Sequence, residues 1–229
     1  MKIIILFIAL LGMSSYYTAY SQPYRYPVLP GDSLWKAQTS YIAKVKLCNI
    51  PDDILIKMPT EDLIKTVYNF PFIQNLLLYD NFVDGFESTK NIFNGLDALT
   101  KRLNAPHLLF EQYCTDSTNN LATDILLEYI LALPYMQNGL DEKQKNALLD
   151  TCLNKLSKRI ELKQFFTRKS LVSGAFLMIR TISNLNPELH KSIIDNDEDI
   201  RKFSESSIEP DRKTAIKIIY EIIKYKGGE

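Results

Sequence analysis

Apolar residues recur at helical spacing through most of this chain, and no stretch alternates between apolar and polar residues with the period of a strand. This pattern predicts an all-α fold. The most regular surface helix is predicted over Asp141–Ile160, where apolar residues at spacings of four, three and four share one face. These residues are Leu149, Leu153, Leu156 and Ile160.

Two other stretches, Leu121–Leu133 and Phe165–Ile182, are apolar on nearly all sides, which is typical of helices packed between other helices. The first has a single polar stripe, formed by Thr123, Asp124 and Glu128. Shorter helices are predicted from Asn186-Pro187, around Ile200 and Phe203, and over Arg212–Tyr225.

The stretch Leu47–Leu103 is divided into short helices by residues that start or stop a helix. Its prolines stand where a helix can begin, because the first turn does not need their missing N–H. They are Pro51, Pro59 and Pro71. Thr60 is a candidate N-cap, and Asn94-Gly95 is a candidate stop with the glycine in the left-handed conformation. Ahead of this stretch, Ser33–Cys48 is predicted to form one helix.

Residues 33–229 are predicted to form a single helical domain, preceded by an extended, proline-containing lead-in segment over residues 22–32. Helix–turn–helix units of roughly 40 residues favour a layered stack of the armadillo or HEAT type. No strict internal repeat is visible, so an irregular helical bundle is the alternative. In the lead-in segment, Tyr24 and Tyr26 are expected to pack onto the domain, with contact to a partner as the alternative.

Residues 1–21 have the features of a cleaved secretory signal peptide. A positive residue precedes the apolar run Ile3–Met13, which is shorter than the about 20 residues of a membrane-spanning helix. A small, polar tail then ends at a suitable cleavage site before Gln22. No cysteine follows the run until Cys48, so nothing there can carry a lipoprotein lipid. We expect an exported protein, periplasmic or extracellular, without stable membrane insertion after cleavage.

Charge excludes some partners. The 27 basic and 27 acidic residues are interspersed and balance, which leaves no basic surface for nucleic acid. The two histidines, His107 and His190, have no metal-binding spacing, and the chain has no glycine-rich phosphate loop. The acidic run Asp195–Asp199 begins like a calcium loop, but Ile200 stands where the turn needs glycine, which favours a solvated linker. We expect no metal and no cofactor, and another protein as the partner.

Three cysteines, Cys48, Cys114 and Cys152, lie in or beside apolar helical segments. Export permits a disulfide, but an odd number leaves one thiol over. Buried, unpaired cysteines are the main expectation. A bridge between Cys114 and Cys152 is the alternative, because the helices that carry them are near neighbours in sequence.

Asp80, Asp84 and Glu87 follow one another at spacings of four and three, so a helix would place them on one face. Carboxylates paired on one face can perform acid–base or glycosidic chemistry. The same residues can instead face solvent and complement the positive end of the helix dipole, which is favoured because a helix is expected to begin there. They form a candidate acidic face, and no catalytic residue is assigned.

The C-terminal helix has more apolar residues than a helix at the edge of a stack needs. Its one polar stripe consists of Lys213, Lys217, Glu221 and Lys224. The remaining positions are mostly apolar, so the helix either lies between other helices or offers a binding surface. The candidate interaction surface comprises Ile218, Ile222 and Tyr225.

The stretch Leu47–Leu103 also ties its helix breaks to a distinctive set of residues at fixed spacings. They are Leu47-Cys48, Ile50-Pro51, Leu55, Met58, Thr60-Glu61, Leu63, Tyr68, Pro71, Asn81, Gly85-Phe86-Glu87 and Phe93-Asn94-Gly95-Leu96. In this combination the stretch resembles a segment of uncharacterised secreted bacterial proteins. The resemblance covers about a quarter of the chain and implies an exported helical protein, without any reaction attached.

The sequence therefore favours a non-enzymatic interaction or scaffold module. The alternative is a small exported hydrolase that acts on cell-wall or carbohydrate material through the acidic face.

Overall fold

The computed structural model describes residues 22–115, 120–161, 169–206 and 210–227. Within these ranges the chain is helical and contains no β-strand, which confirms the all-α prediction. The predicted signal peptide lies outside the described residues, as do residues 165–168 of the helix predicted over Phe165–Ile182. None of the described helices is both long enough and apolar enough to span a membrane.

The helices follow one another with short connections. In chain order the α-helices are α1 (Ser33–Ala37), α2 (Tyr41–Lys46), α3 (Asp52–Lys57), α4 (Thr60–Tyr68), α5 (Phe82–Lys90), α6 (Asn94–Lys101), α7 (Ala105–Thr115), α8 (Leu121–Leu131), α9 (Pro134–Asn138), α10 (Glu142–Glu161), α11 (Lys169–Leu185), α12 (Pro187–Asp195), α13 (Glu198–Ser206) and α14 (Arg212–Gly227). A 3₁₀ helix over Ile73–Leu78 connects α4 to α5.

The first predicted helix, Ser33–Cys48, is in fact two short helices. The chain leaves α1 after Ala37 and starts α2 at Tyr41, because the Ser40 hydroxyl accepts a hydrogen bond from the Ala43 N–H at 3.1 Å. An N-cap of this kind satisfies a backbone donor that the first turn of a helix leaves open. This internal start was not predicted from the sequence.

The predicted stop at Asn94-Gly95 is wrong, because α6 begins there. The Asn94 side chain accepts the Ile50 N–H at 2.9 Å and donates to the Ile50 carbonyl at 2.7 Å. In return, the Asn49 side chain accepts the Asn94 N–H at 3.1 Å. Gly95 is helical, and a Cβ there would lie 2.4 Å from Cζ of the Phe93 ring. The glycine therefore makes room for an aromatic ring rather than supplying a left-handed turn.

The lead-in segment packs onto the domain, which confirms the favoured prediction for its tyrosines. The Tyr26 hydroxyl donates to the Thr66 carbonyl at 2.9 Å, and the Tyr24 N–H donates to the Thr66 hydroxyl at 2.8 Å. Tyr26 also touches Phe70 and Phe93, whose rings stack with centroids 4.0 Å apart. The segment thus completes an aromatic core in the first half of the chain.

The second half is arranged around α11, which contacts α8, α10, α12 and α14. Gly174 lets α10 and α11 approach closely, since a Cβ there would lie 2.9 Å from Cδ1 of Leu156. The helix α7 contacts α4 of the first half of the chain as well as α8, α9 and α10 of the second half, and so it joins the two halves. One helix packed between several others is consistent with both predicted architectures, the layered stack and the irregular bundle.

All three cysteines are unpaired, which agrees with the main expectation from the sequence. Cys48 and Cys152 are buried and Cys114 is half-buried. The alternative bridge between Cys114 and Cys152 does not form, because Cys114 Sγ lies 3.4 Å from the Thr151 hydroxyl whereas Cys152 Sγ donates to the Gly174 carbonyl at 3.7 Å. Neighbouring positions on α10 therefore direct the two thiols into different surroundings.

The two hydrogen bonds between the Asn94 side chain and the Ile50 backbone should contribute measurably to the free energy of unfolding. We expect Asn94→Ala to lower the free energy of unfolding by about 1–3 kcal/mol, because a backbone donor and acceptor of the buried Ile50 lose their partner. Urea unfolding measures this change. The matched control is Asn154→Ala on the exposed side of α10, expected to change it by less than about 0.5 kcal/mol. Equal midpoints for both variants would contradict the assignment.

Candidate functional site

The structure gives each residue of the candidate acidic face a local environment. Asp80 is exposed and precedes α5, so it does not lie on the helix itself. Asn81 caps α5 by accepting the Val83 and Asp84 N–H groups, and its side chain also donates to the Asp84 carboxylate at 2.8 Å. Glu87 forms an ion pair with Lys90. Two of the three carboxylates are therefore engaged by neighbours on the same helix.

The acidic run Asp195–Asp199 spans the end of α12 and the first turn of α13. The Asp197 carboxylate accepts the Asp199 N–H at 3.0 Å and the Ile200 N–H at 3.2 Å, and it forms an ion pair with Lys217 of α14. Lys217 holds the pKa of Asp197 below its ordinary value, and the backbone donors add to this effect. Across the described residues, no group of three histidine, cysteine or acidic side chains is placed to hold a metal ion.

The most highly charged part of the interior is a cluster between α8, α10 and α11. On α8, Asp124 and Glu128 are four residues apart and share one face, and on α10 Lys155 and Arg159 do the same. The Lys155 ammonium donates to Asp124 Oδ1 at 2.7 Å. Arg159 spans Glu128 with both terminal nitrogens, at 2.7 Å to Oε1 and 3.1 Å to Oε2. Two oppositely charged helical faces are thus aligned with each other.

Hydroxyl groups complete the shell of Glu128. Its Oε1 also accepts the Tyr113 hydroxyl at 2.7 Å, and its Oε2 accepts the Ser173 hydroxyl at 2.5 Å. Arg159 Nη1 donates in addition to the Ser170 carbonyl at 2.9 Å. Glu128 has no exposed surface, so these donors satisfy its oxygens in place of bulk solvent. A buried carboxylate is tolerated only where it is paired and hydrogen-bonded in this way.

Burial and charge shift the ionisation of this cluster. Burial raises the pKa of Asp124, although Lys155 acts in the opposite direction. Burial also raises the pKa of the Cys152 thiol and of the Tyr113 phenol, and the Glu128 carboxylate raises both further. For Arg159, burial lowers the pKa, but Glu128, Tyr113 and Cys152 together raise it above the ordinary value, so the guanidinium stays charged. The neutral thiol and phenol are poor nucleophiles in this state.

Access decides what the cluster can do chemically. Glu128, Ser173 and Cys152 are completely buried, and Arg159 is 3% exposed. A substrate cannot reach these side chains without opening the bundle. The arrangement is therefore a positioning device that fixes three helices relative to one another.

A second feature is an open apolar groove, which we call the α14 groove. It encloses about 410 Å³ and is lined by Ile160 of α10, Leu171 of α11, and Arg212, Ile216, Ile219, Tyr220 and Ile223 of α14. Four of these apolar side chains are well exposed, with Ile160 at 55%, Ile216 at 49%, Tyr220 at 64% and Ile223 at 50%. The groove is thus an accessible apolar site built from three helices.

The groove corrects the predicted interaction surface. Ile218 and Ile222 are fully buried, and Tyr225 is partly buried against the core. They face the bundle because α14 packs along α11. The apolar residues on the opposite side of α14 are the exposed ones. One side of α14 is therefore packed against the bundle, while the opposite side is an accessible apolar surface.

Sequence reasoning found part of each feature. The polar stripe on the predicted helix Leu121–Leu133 contains both carboxylates of the buried cluster, but their partners on α10 were not connected to it. The signal was the matching spacing of four residues between Lys155 and Arg159. For the groove, the surplus of apolar residues on the C-terminal helix was the signal, but it did not identify the accessible side.

No protein-family model, curated protein or solved structure shows a significant match to this chain. Any functional assignment therefore depends on the geometry of the molecule itself.

Breaking the buried pair of Glu128 and Arg159 should strongly destabilise the second half of the chain. We expect Arg159→Met to lower the free energy of unfolding by about 3–5 kcal/mol, because it leaves a buried carboxylate without its counter-charge. Adding Glu128→Gln should restore part of this loss, since the amide is uncharged and still offers an acceptor to Tyr113. A double-mutant cycle followed by urea unfolding measures the coupling.

The matched control for this cycle is Lys158→Met, next to Arg159 but on the exposed side of α10. It should change the free energy of unfolding by less than about 0.5 kcal/mol. Strictly additive losses in the Glu128 and Arg159 variants would show that the two side chains do not stabilise each other.

Proposed function

We propose that the protein is an exported, non-enzymatic helical binding module that recognises an apolar group of another molecule in the α14 groove. The observation that carries the proposal is the concentration of exposed apolar side chains from α10 and α14 around one concavity. A soluble protein seldom exposes a contiguous apolar surface without a use for it, because such a surface promotes aggregation.

The surroundings distinguish this groove from isolated exposed residues. Ile56, Leu78 and Leu103 are also highly exposed, but they come from three separate stretches of the chain and do not line the groove. Single exposed apolar residues are ordinary. The groove instead combines side chains from three helices, and an ion pair between Lys226 of α14 and Asp150 of α10 at 3.0 Å supports its walls. Such a preformed concavity is typical of ligand sites.

Export is proposed from the sequence. The features of residues 1–21 and the resemblance of Leu47–Leu103 to secreted bacterial proteins both support it. The hydrolase alternative gains no comparable support, since Asp84 and Glu87 are engaged by Asn81 and Lys90. A non-enzymatic module needs no reactive group, only an accessible surface held in a fixed shape.

Binding to the groove can be tested with Nile red, an uncharged apolar dye. We expect the dye to bind, and the double variant Ile216→Gln with Ile223→Gln to weaken binding by about tenfold or more through loss of apolar contact area. Fluorescence titration measures the affinity.

The control is the double variant Ile56→Gln with Leu103→Gln, which removes two apolar side chains outside the groove that are even more exposed than Ile216 and Ile223. It should bind Nile red like the unmodified protein. Comparable loss in both double variants, or no dye binding at all, would argue against a binding module at this position.

Export has a test of its own. When the full chain is expressed in a bacterial host, we expect the protein outside the cytoplasm with Gln22 as its first residue. Cell fractionation followed by N-terminal sequencing measures this. Replacing two residues of the apolar run, Leu6→Asp with Leu10→Asp, should retain the protein in the cytoplasm. A cytoplasmic protein that still begins with Met1 would overturn the proposal of export.

A further inference from the structure

The half-buried side chain of His190 lies in the interface that α12 forms with α11 and α13. Its Nε2 is 2.9 Å from the hydroxyl of Ser204 on α13, and Ser204 is only 7% exposed. The residue before Ser204, Phe203, packs against Phe176 of α11 with ring centroids 5.4 Å apart. The Arg180 guanidinium of α11 lies over the same Phe176 ring, 5.2 Å from its centroid. A histidine and an arginine are therefore held in one interface between three helices.

The charges around His190 do not favour a proton on it. Arg180 is the charge that acts on His190, and the other charged residue of α11, Lys169, lies at the opposite end of that helix. Among the described residues no carboxylate forms an ion pair with His190. The remaining ionisable residues of α12 and α13, and those of α14 that line the adjoining cleft, are exposed or partly exposed. They are Glu188, Lys191 and Asp195 on α12, Asp197 before α13, Glu198, Asp199, Arg201, Lys202 and Glu205 on α13, and Lys217, Glu221 and Lys224 on α14.

This environment links the stability of the interface to pH. Burial lowers the pKa of His190, and the positive charge of Arg180 lowers it further. Above the ordinary histidine pKa of about 6.5, His190 is neutral in the folded and in the unfolded chain, and the interface keeps its full stability. As the pH falls below that value, a state in which His190 reaches water binds the proton more readily, so the folded interface loses stability.

The two helices that enclose His190 with α11 are held by few buried apolar side chains. In α12 and the described side chains of α13 these are Ile193, Ile200 and Phe203, whereas most positions of α11 are buried. Segments with few buried contacts open locally at lower free energy than the core does. On its other side, this pair of helices forms a wall of a cleft of about 510 Å³, whose opposite wall is α14. The pair is thus placed to move relative to α11 and α14.

We propose that α12 and α13 form an acid-responsive flap, which protonation of His190 beside Arg180 loosens from α11 while the rest of the bundle stays folded. The added proton comes from solvent, and opening the flap brings the charged imidazole into water and away from the guanidinium. Opening also widens the cleft towards α14 and exposes Phe176 and Phe203. The α14 groove is lined by α10, α11 and α14, so this inference does not depend on the proposed binding function.

Hydrogen exchange of the purified protein, followed peptide by peptide with mass spectrometry, measures the opening. Protection is expressed relative to the unfolded peptide at the same pH, which removes the direct effect of pH on the exchange chemistry. Between about pH 7.5 and about pH 5.5, on either side of the ordinary histidine pKa, we expect protection in α12 and α13 to fall severalfold. Peptides of α4, in the first half of the chain, should keep their protection and serve as the internal reference.

The variant that tests the role of the proton is His190→Gln, because the amide still offers a polar partner to Ser204 but does not titrate in this range. In this variant we expect α12 and α13 to have the same protection at both pH values. Arg180→Met removes the neighbouring cation and keeps an apolar side chain over Phe176, so the acid-dependent loss should become smaller.

The matched control is His107→Gln, which removes the other histidine of the chain, on α7. It should leave the acid-dependent loss of protection in α12 and α13 unchanged. In the same variant, the single remaining imidazole signal in an NMR titration belongs to His190, and we expect it to titrate below the ordinary histidine pKa. This titration needs no substitution at the interface itself.

Three outcomes would overturn the inference. An equal acid-dependent loss of protection in His190→Gln and in the unmodified protein would assign the effect to another group. Unchanged protection of α12 and α13 at the lower pH would show that the flap does not open. A loss shared by α4 would show that acid unfolds the whole protein rather than one pair of helices.

Discussion

The contact between Glu128 and Arg159 is the constraint on which the second half of this protein depends. Both side chains are almost without exposed surface, so neither charge can be satisfied by water. The carboxylate has four donors and the guanidinium lies across it, which joins α8, α10, α11 and, through Tyr113, α7. A buried pair of this kind contributes little net stability compared with apolar packing, but it tolerates few alternative arrangements of its helices. We infer that its main effect is to determine how the helices align.

That alignment explains how the accessible groove is formed. Arg159 points into the cluster while the next residue, Ile160, lines the groove, and on α11 the backbone carbonyl of Ser170 accepts Arg159 while the next residue, Leu171, lines the groove. Neighbouring residues on a helix point about 100° apart, so fixing one of each pair also fixes the other. The groove walls contributed by α10 and α11 are therefore held in place by buried charges, while α14 is held by its own apolar side.

Much of this architecture could be predicted from periodicity, because most helices depend on local pattern. The helix start at Asn186-Pro187, the apolar face of α10 and the nearly all-apolar α11 are examples in which sequence and structure agree over the described residues. Predictions that depended on distant contacts were less successful. Asn94-Gly95 has the composition of a helix stop, but a hydrogen-bonded exchange with Ile50, 44 residues earlier in the chain, makes it a start. Such pairing has no local signature.

The groove illustrates the same limit for function. The sequence identified α14 as carrying more apolar residues than one packed side requires, yet Ile218 and Ile222 are buried while Ile216 and Ile223 are exposed. Which side faces inward depends on the contact of α14 with α11, two helices that are not consecutive in the chain. The accessible side of α14 therefore follows from this packing and has no signature in the sequence of the helix itself. A surface of this kind is found by following how the helices pack against one another.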